Sequence, residues 1–196
     1  MLVNEIFESI QGEGKYAGYP VLFIRLSGCN KKCEWCDTKY HAEGKSYKIK
    51  EIVETIKKST KKIIVWTGGE PVIQIKEILD VISQTQNKKH HVETNGSIFF
   101  DCFVFNYVCF SPKDEKVIKN INNMKSSLIN YDIKVVTDCK LNHLLLKHAT
   151  VIMPLTTNDE NKNIDIKRNV WNMCSDTNMR FCLRQHVEVW KTKKGV

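Results

Sequence analysis

The sequence predicts an α/β fold with mostly parallel strands. Three observations carry this. Strand-like apolar runs alternate with helix-like amphipathic ones, most strand-like runs stop at a glycine, a proline or a short polar turn, and no repeat, low-complexity tract or linker divides the chain. With 196 residues, a single domain over 1–196 is expected.

The elements follow in order. VLFIRLSG (21–28) is apolar and β-rich and ends in glycine, so it reads as a strand. KIKEIVETIKK (48–58) sets Ile49, Ile52, Val53 and Ile56 at helical spacing. KIIVWTGG (62–69) is a buried strand stopped by two glycines. IQIKEILDVISQT (73–85) repeats the helical pattern with Ile75, Ile78, Leu79 and Ile82. HHVETNG (90–96), FNYVCFSP (105–112), DIKVV (132–136) and ATVIMPL (149–155) read as further strands. LNHLLLKH (141–148) and a stretch near 163–175 read as helices, and MRFCLRQ (179–185) as a last strand. The polar segments SGC, TGGEP, ETNG and SPK all lie just after strands. In a parallel sheet such segments emerge at one edge, where ligands of α/β sheets bind.

Composition narrows the function classes. No apolar run approaches the ~18–20 residues of a membrane span. MLVNEIFESIQGEG has acidic residues and no basic start before an apolar block, so it is not a secretory signal. A cytoplasmic location is expected, where eight reduced cysteines point to metal ligation or catalysis rather than disulfides. The net charge is +8, but the lysines are dispersed and lack interleaved aromatics. That describes a solvated basic surface better than a nucleic-acid footprint.

The chemistry concentrates in SGCNKKCEWCDT (27–38). Cys29, Cys33 and Cys36 are spaced C-x3-C-x2-C. A closed structural zinc site takes four ligands, and His41, five residues on, would complete a Cys3His set. An iron–sulfur cubane held by three thiolates leaves one iron able to bind a small molecule. Both readings stand on spacing alone.

The three-cysteine loop after a strand resembles the radical SAM superfamily signature, with Trp35 matching the aromatic usual between the second and third cysteines. TGGEP (67–71) resembles that superfamily's GGEP segment. SIQGEG (9–14), FIRLSGC (23–29), CDT (36–38), ETNG (93–96), SPK (111–113) and RQHVEVW (184–190) then resemble, in order, the landmarks of the 7-carboxy-7-deazaguanine synthase family. The resemblance implies a compact, partial (β/α)6 barrel with trimmed helices. It implies a [4Fe–4S] cluster, S-adenosylmethionine (SAM) and Mg²⁺ as cofactors, a flavodoxin or ferredoxin as reductant, and a homodimer. The implied reaction is ring contraction of 6-carboxy-5,6,7,8-tetrahydropterin with loss of ammonia, begun by removal of hydrogen from C6, with SAM regenerated.

Residue roles are carried over the same way. Cys29, Cys33 and Cys36 would hold the cluster, their soft thiolates suiting iron–sulfur. Thr38 would bind Mg²⁺ as a hard oxygen donor. Ile10, Gln11, Gly12, Arg25 and Thr67 would contact the pterin, with Arg25 clamping its carboxylate bidentately. Trp35, Cys36, Asp37, Gly69, Ser111, Pro112 and Lys113 would contact SAM. Glu93 and Asn95 are further cavity candidates. His90, His91, His143, His148 and His186 share no metal spacing and read as structural or exposed. Cys102, Cys109, Cys139, Cys174 and Cys182 read as buried small hydrophobes. The family's contact through a terminal proline carboxylate does not carry over to the KTKKGV ending, and any extended cluster loop is reduced. Two rivals remain: a glycyl-radical activase of the same superfamily, and a zinc-stabilised binding module using Cys29, Cys33, Cys36 and His41.

Overall fold

The computed structural model describes residues 1–34, 36, 43–126, 128–191, 193 and 195. Among these residues eight strands form one open sheet: β1 (Leu2–Ile10), β2 (Pro20–Leu26), β3 (Lys45–Ser46), β4 (Ile63–Gly68), β5 (Lys89–Thr94), β6 (Tyr107–Phe110), β7 (Tyr131–Thr137) and β8 (Val151–Pro154). Their spatial order is β3-β1-β2-β4-β5-β6-β7-β8. β2 and β4 to β8 run parallel, and β1 lies antiparallel between β2 and the two-residue β3. This is the expected partial barrel of six parallel strands, left open.

Alternation along the strands gives the sheet two chemically different faces. Leu22, Ile24 and Leu26 of β2, Ile64 and Trp66 of β4, and Val92 of β5 join one core with Ile52, Val53 and Ile56 of α1 (Ile49–Lys58) and Ile78 and Val81 of α2 (Ile75–Ser83). This helix-covered face is almost wholly apolar. The other residues of the same strands face inward. Val21, Ile63 and Val65 make a small apolar floor with Tyr16 and Phe23. Above it, Arg25 pairs in register with Thr67, and Glu93 with Cys109.

The helices are trimmed, as expected. β5 to β6 crosses through one 3₁₀ turn (Cys102–Val104), and β7 to β8 through another (His143–His148). The helix predicted over 141–148 is therefore only a 3₁₀ segment, entered through Asn142 in the left-handed region at φ 57°. α4 (Glu160–Thr177) is longer than its predicted span and buries Ile166, Val170 and Cys174 against Ile152.

Besides the two-residue β3, several elements escape the sequence reading. β1 carries Glu5 and Glu8, which interrupt its apolar pattern, and both are paired: Glu5 with Arg25 at 3.0 Å and Glu8 with Lys61 at 3.2 Å. A bulge between Val3 and Glu5 lets Val3 enter the helix-side core. α3 (Ile118–Lys125) is rich in asparagine and a poor intrinsic helix. It forms because Ile118, Ile121 and Met124 line up on one buried face. The last strand predicted, over 179–185, is a single bridge from Phe181 to Ile152, followed by α5 (Gln185–Trp190). Its main chain pairs with β8 at Ile152, and past that bridge its groups reach Asp132 of β7 and the loop after β1, so it then crosses the inner face toward that loop. Among the described residues no helix is long and apolar enough to cross a membrane.

His91 lies in the floor, 1% exposed, with its ring 4.4 Å from that of Tyr16 and 5.3 Å from that of Tyr107. Neither ring nitrogen has a hydrogen-bond partner. Burial, with the neighbouring charges of Lys89 and His90, lowers its pKa from the ordinary 6.5 to about 4. The unfolded chain therefore takes up a proton at about pH 6.5 and the folded chain only near 4. Stability contributed by neutral His91 is full above 6.5 and falls as pH drops through that window. His91→Phe is expected to remove this fall: between pH 7 and pH 5, urea unfolding should show the native chain losing on the order of 2 kcal/mol more than the variant.

Candidate active site

Two groups of residues meet at the carboxyl edge of the parallel strands. The first surrounds the cysteines. β2 ends at Leu26, and Gly28 follows with φ +88°, so the chain turns sharply at Gly28, just before Cys29. The turn after β4 packs directly against this loop: Gly69 N donates to Leu26 O at 3.2 Å, and Glu70 N to Gly28 O at 2.9 Å. A Cβ on Gly69 would stand 2.0 Å from Gly28 O and 3.0 Å from Cys29 Cβ. Glycine at 69 is thus a requirement of close backbone approach.

Glu70 then ties the turn to the next strand end. It is fully buried, and its carboxylate accepts from Val72 N (3.0 Å), Thr94 Oγ1 (2.8 Å) and Asn95 N (2.7 Å). Burial raises its pKa, while these donors pull the other way. Asn95 passes the chain of contacts on, donating to Asn30 Oδ1 at 3.0 Å, and Asn30 donates to Ser97 Oγ at 2.8 Å. The cysteine loop is clamped further by Lys31–Asp114 at 2.8 Å. Ser111 N donates to Thr94 O at 2.7 Å, Pro112 is buried, and Lys113 Nζ donates to Ser111 Oγ at 3.2 Å.

Cys29, Cys33 and Cys36 are all free thiols of intermediate exposure. Burial raises Cys29 and Cys33; the charges of their fellow cysteines add to this, and that of Lys113 opposes it. The three sulfurs thus share one electrostatic neighbourhood beside a lysine, and their softness suits iron–sulfur ligation. Among the described residues no three Cys, His, Asp or Glu side chains are drawn tightly enough to hold a single metal ion. A cluster makes a different demand, spreading its thiolates over separate irons. Trp35, Asp37, Thr38 and His41 lie outside the described residues.

The second group lies on the inner face, between the cysteine loop and the floor. Gln11, 4% exposed, donates from Nε2 to Glu93 Oε1 at 3.0 Å, and Thr67 Oγ1 donates to Glu93 Oε2 at 3.2 Å. Arg25 bonds to Glu5 through Nε, with its guanidinium 5.7 Å from the Phe7 ring centre. Among the described residues that pair leaves the terminal Nη fork unused. Ile10 is 46% exposed, so what it can offer the site is main chain.

Several members of this group were not legible from the sequence. Lys134 and Glu13 form a buried ion pair. Burial acts to raise Glu13, but Lys134, Arg184 and His186 override it and hold the carboxyl well below its ordinary value. His186 is no loose terminal histidine: a Cβ on Gly12 would come 2.4 Å from its Nδ1, and Gln185 N donates to Gly12 O at 3.0 Å. Its one signal was its place in RQHVEVW. Of the other cysteines, Cys102, Cys109 and Cys174 are buried as expected, whereas Cys139 and Cys182 are only half-buried. Cys182 accepts from Gly14 N at 3.2 Å.

Comparison with known proteins agrees with this arrangement. Residues 23–138 match the Radical SAM superfamily. The 7-carboxy-7-deazaguanine synthase of Buchnera aphidicola subsp. Schizaphis graminum is 33% identical over 94% of this chain and 95% of its own length. The enzyme of that name from Bacteroides thetaiotaomicron is 31% identical over 93% of this chain and 98% of its own. The one from Thermoplasma acidophilum is 42% identical over 59% of this chain, a match that spans 56% of the relative. The crystal structure of QueE from Escherichia coli shares the fold, with TM-score 0.69, 24% identity and 94% of each chain covered. A glycyl-radical activase and a zinc-stabilised binding module are not favoured by these relatives. With the superfamily match over more than half of its length and relatives 33% and 31% identical along nearly all of it, the chain belongs to the 7-carboxy-7-deazaguanine synthase family of the radical SAM superfamily.

Proposed function

We propose that this chain converts 6-carboxy-5,6,7,8-tetrahydropterin to 7-carboxy-7-deazaguanine with loss of ammonia. The observation that carries the reading is the stacking of two halves at one sheet edge. Cys29, Gly69 and Lys113 stand above, and Gln11, Arg25, Thr67 and Glu93 stand below. Cys29, Cys33 and Cys36 would hold the [4Fe–4S] cluster, and Gly69, Ser111, Pro112 and Lys113 would face SAM, together with Trp35, Cys36 and Asp37. When bound, these groups supply a one-electron means of removing hydrogen from a substrate carbon. The chain's own task is to hold that carbon beneath them and exclude competing reactions.

Glu93 is the pivot of the lower half. It accepts from Gln11 and Thr67, so it orients an amide and a hydroxyl toward the heteroatom edge of a bicyclic ring. The Arg25 fork suits the pterin carboxylate, and Glu5 and Phe7 fix the angle from which it reaches. Gly12 has no room for a side chain, since a Cβ there would stand 2.4 Å from His186 Nδ1, so it would meet the ring through main chain. Mg²⁺ on Thr38, a flavodoxin or ferredoxin as reductant and a homodimer complete the reading by resemblance.

Arg25→Lys keeps the charge and loses the fork. The Michaelis constant for the pterin is expected to rise about tenfold or more, with SAM binding unchanged. Steady-state kinetics over a range of pterin concentration checks this. The function itself is tested by anaerobic reconstitution, addition of pterin, SAM and a reductant, and mass spectrometry of the product. A reconstituted chain that binds SAM yet forms no deazaguanine would exclude it.

A further inference from the structure

We propose that Asp132 is a positioning residue for substrate binding. It holds the loop after β1 and the segment that crosses the sheet after α4 at the height from which Gln11 meets the ring. This rests on the reading that the pterin binds beside Gln11.

Asp132 lies on the inner face of β7, 2% exposed, opposite Cys109 in register. Its carboxylate has four donors from four parts of the chain. Oδ2 accepts from Tyr107 Oη at 2.5 Å and from Lys15 N at 3.0 Å, and forms an ion pair with Arg180 Nη2 at 2.5 Å. Oδ1 accepts from Thr150 Oγ1 at 3.1 Å. The Thr150 hydroxyl is itself oriented, since it accepts from Ile133 N at 2.8 Å. Three donors crowd Oδ2 and one holds Oδ1, and the side chain is buried behind them, so Asp132 acts through the groups it holds.

Those groups converge on the substrate loop. Lys15 N is where that loop leaves the inner face. Gly14, one residue before it, has φ +70°, and a Cβ there would lie 2.9 Å from Tyr107 Oη and 3.4 Å from Asp132 Oδ2. The other end of the loop is closed by Gln11 N to Tyr19 O and Gly18 N to Gln11 O, both 2.8 Å. Arg180 opens the crossing segment, which next touches the same loop at Gly14 through Cys182 and at Gly12 through Gln185 and His186. One buried carboxylate therefore sets the height of both partners of the Gly12–His186 contact. Among the described residues the cysteine loop, Gly69 and Lys113 make no bond to it, so the SAM half should not feel its loss.

Asp132→Asn keeps the shape but turns an NH₂ toward at least one of the four donors. The pterin Michaelis constant is expected to rise at least about tenfold, with kcat within about threefold. The change in the cluster's EPR spectrum on adding SAM, and SAM cleavage without pterin, should match the native protein. Arg180→Gln releases only the crossing segment from a 44% exposed side chain and should raise the same constant about threefold. An Asp132→Asn Michaelis constant within twofold of native, or a loss shared equally by pterin turnover and SAM cleavage, overturns the proposal. If Asp132→Asn does not fold, Arg180→Gln decides, and an unchanged constant there overturns it. A native protein that turns over no pterin would instead defeat the functional reading beneath it.

Discussion

Replacing Cys33 by alanine is expected to leave a folded chain that retains no [4Fe–4S] cluster and no turnover. The fold should survive because none of the three motif cysteines belongs to the hydrophobic cores, which lie against α1 and α2, against α4 and in the floor. Far-ultraviolet circular dichroism should match the native spectrum. Iron content and the brown absorption should be lost, and product formation should fall at least about a thousandfold, since no side chain substitutes for the cofactor's one-electron chemistry. Cys29→Ala and Cys36→Ala should behave alike. Cys109→Ala, at a thiol whose pKa burial pushes up to about 12, should keep the cluster. A Cys33→Ala protein that reconstitutes a cluster and retains activity would mean the ligands lie elsewhere.

Gly69→Ala should also lower turnover heavily, with no ligand removed. The added methyl meets backbone at 2.0 and 2.6 Å, the O and C of Gly28, and backbone cannot rotate aside as a side chain can. The glycine turn and the cysteine loop must separate, and the 2.9 Å bond from Glu70 N to Gly28 O goes with them. Misplacement of about 1 Å at a reacting centre costs on the order of a hundredfold in rate. A loss of that size is expected in turnover, with SAM affinity reduced and iron content preserved. Gly18→Ala is the contrast. Its φ of +92° strains any side chain, but nothing lies within 4 Å of the added atom. It should cost about 1–2 kcal/mol of stability and leave SAM affinity alone. If Gly69→Ala binds SAM within threefold of native, the close approach is incidental.

The two variants separate what could be read from the residues from what could not. The cysteine spacing, TGGEP and SPK are contiguous words whose chemistry is local. A thiolate trio or a glycine pair means much the same wherever it stands, and parallel strands bring such words to one edge. The amphipathic periods of α1 and α2 were legible for the same reason, since one apolar stripe meets one sheet face. β1 was not, because its glutamates make sense only beside Arg25 and Lys61. Nor was α3, whose asparagines argue against a helix until Ile118, Ile121 and Met124 find their core. The lower half of the site was the least legible: Lys134, Asp132 and Arg180 stand in no motif, and His186 read only as structural or exposed.

By itself, then, the order of residues determined the alternating α/β plan, the three-thiolate loop, the glycine turn beside it and the family these words belong to. Each depends on neighbours within a few positions, where covalent geometry and side-chain period decide. Only the tertiary structure decided that Glu13 meets Lys134, that His186 closes on Gly12, and that one carboxylate of β7 joins the first loop to the last segment. Those pairings are long-range and polar. A charge buried on an inner face is stabilised by whichever partner the fold delivers, and no local pattern names that partner in advance.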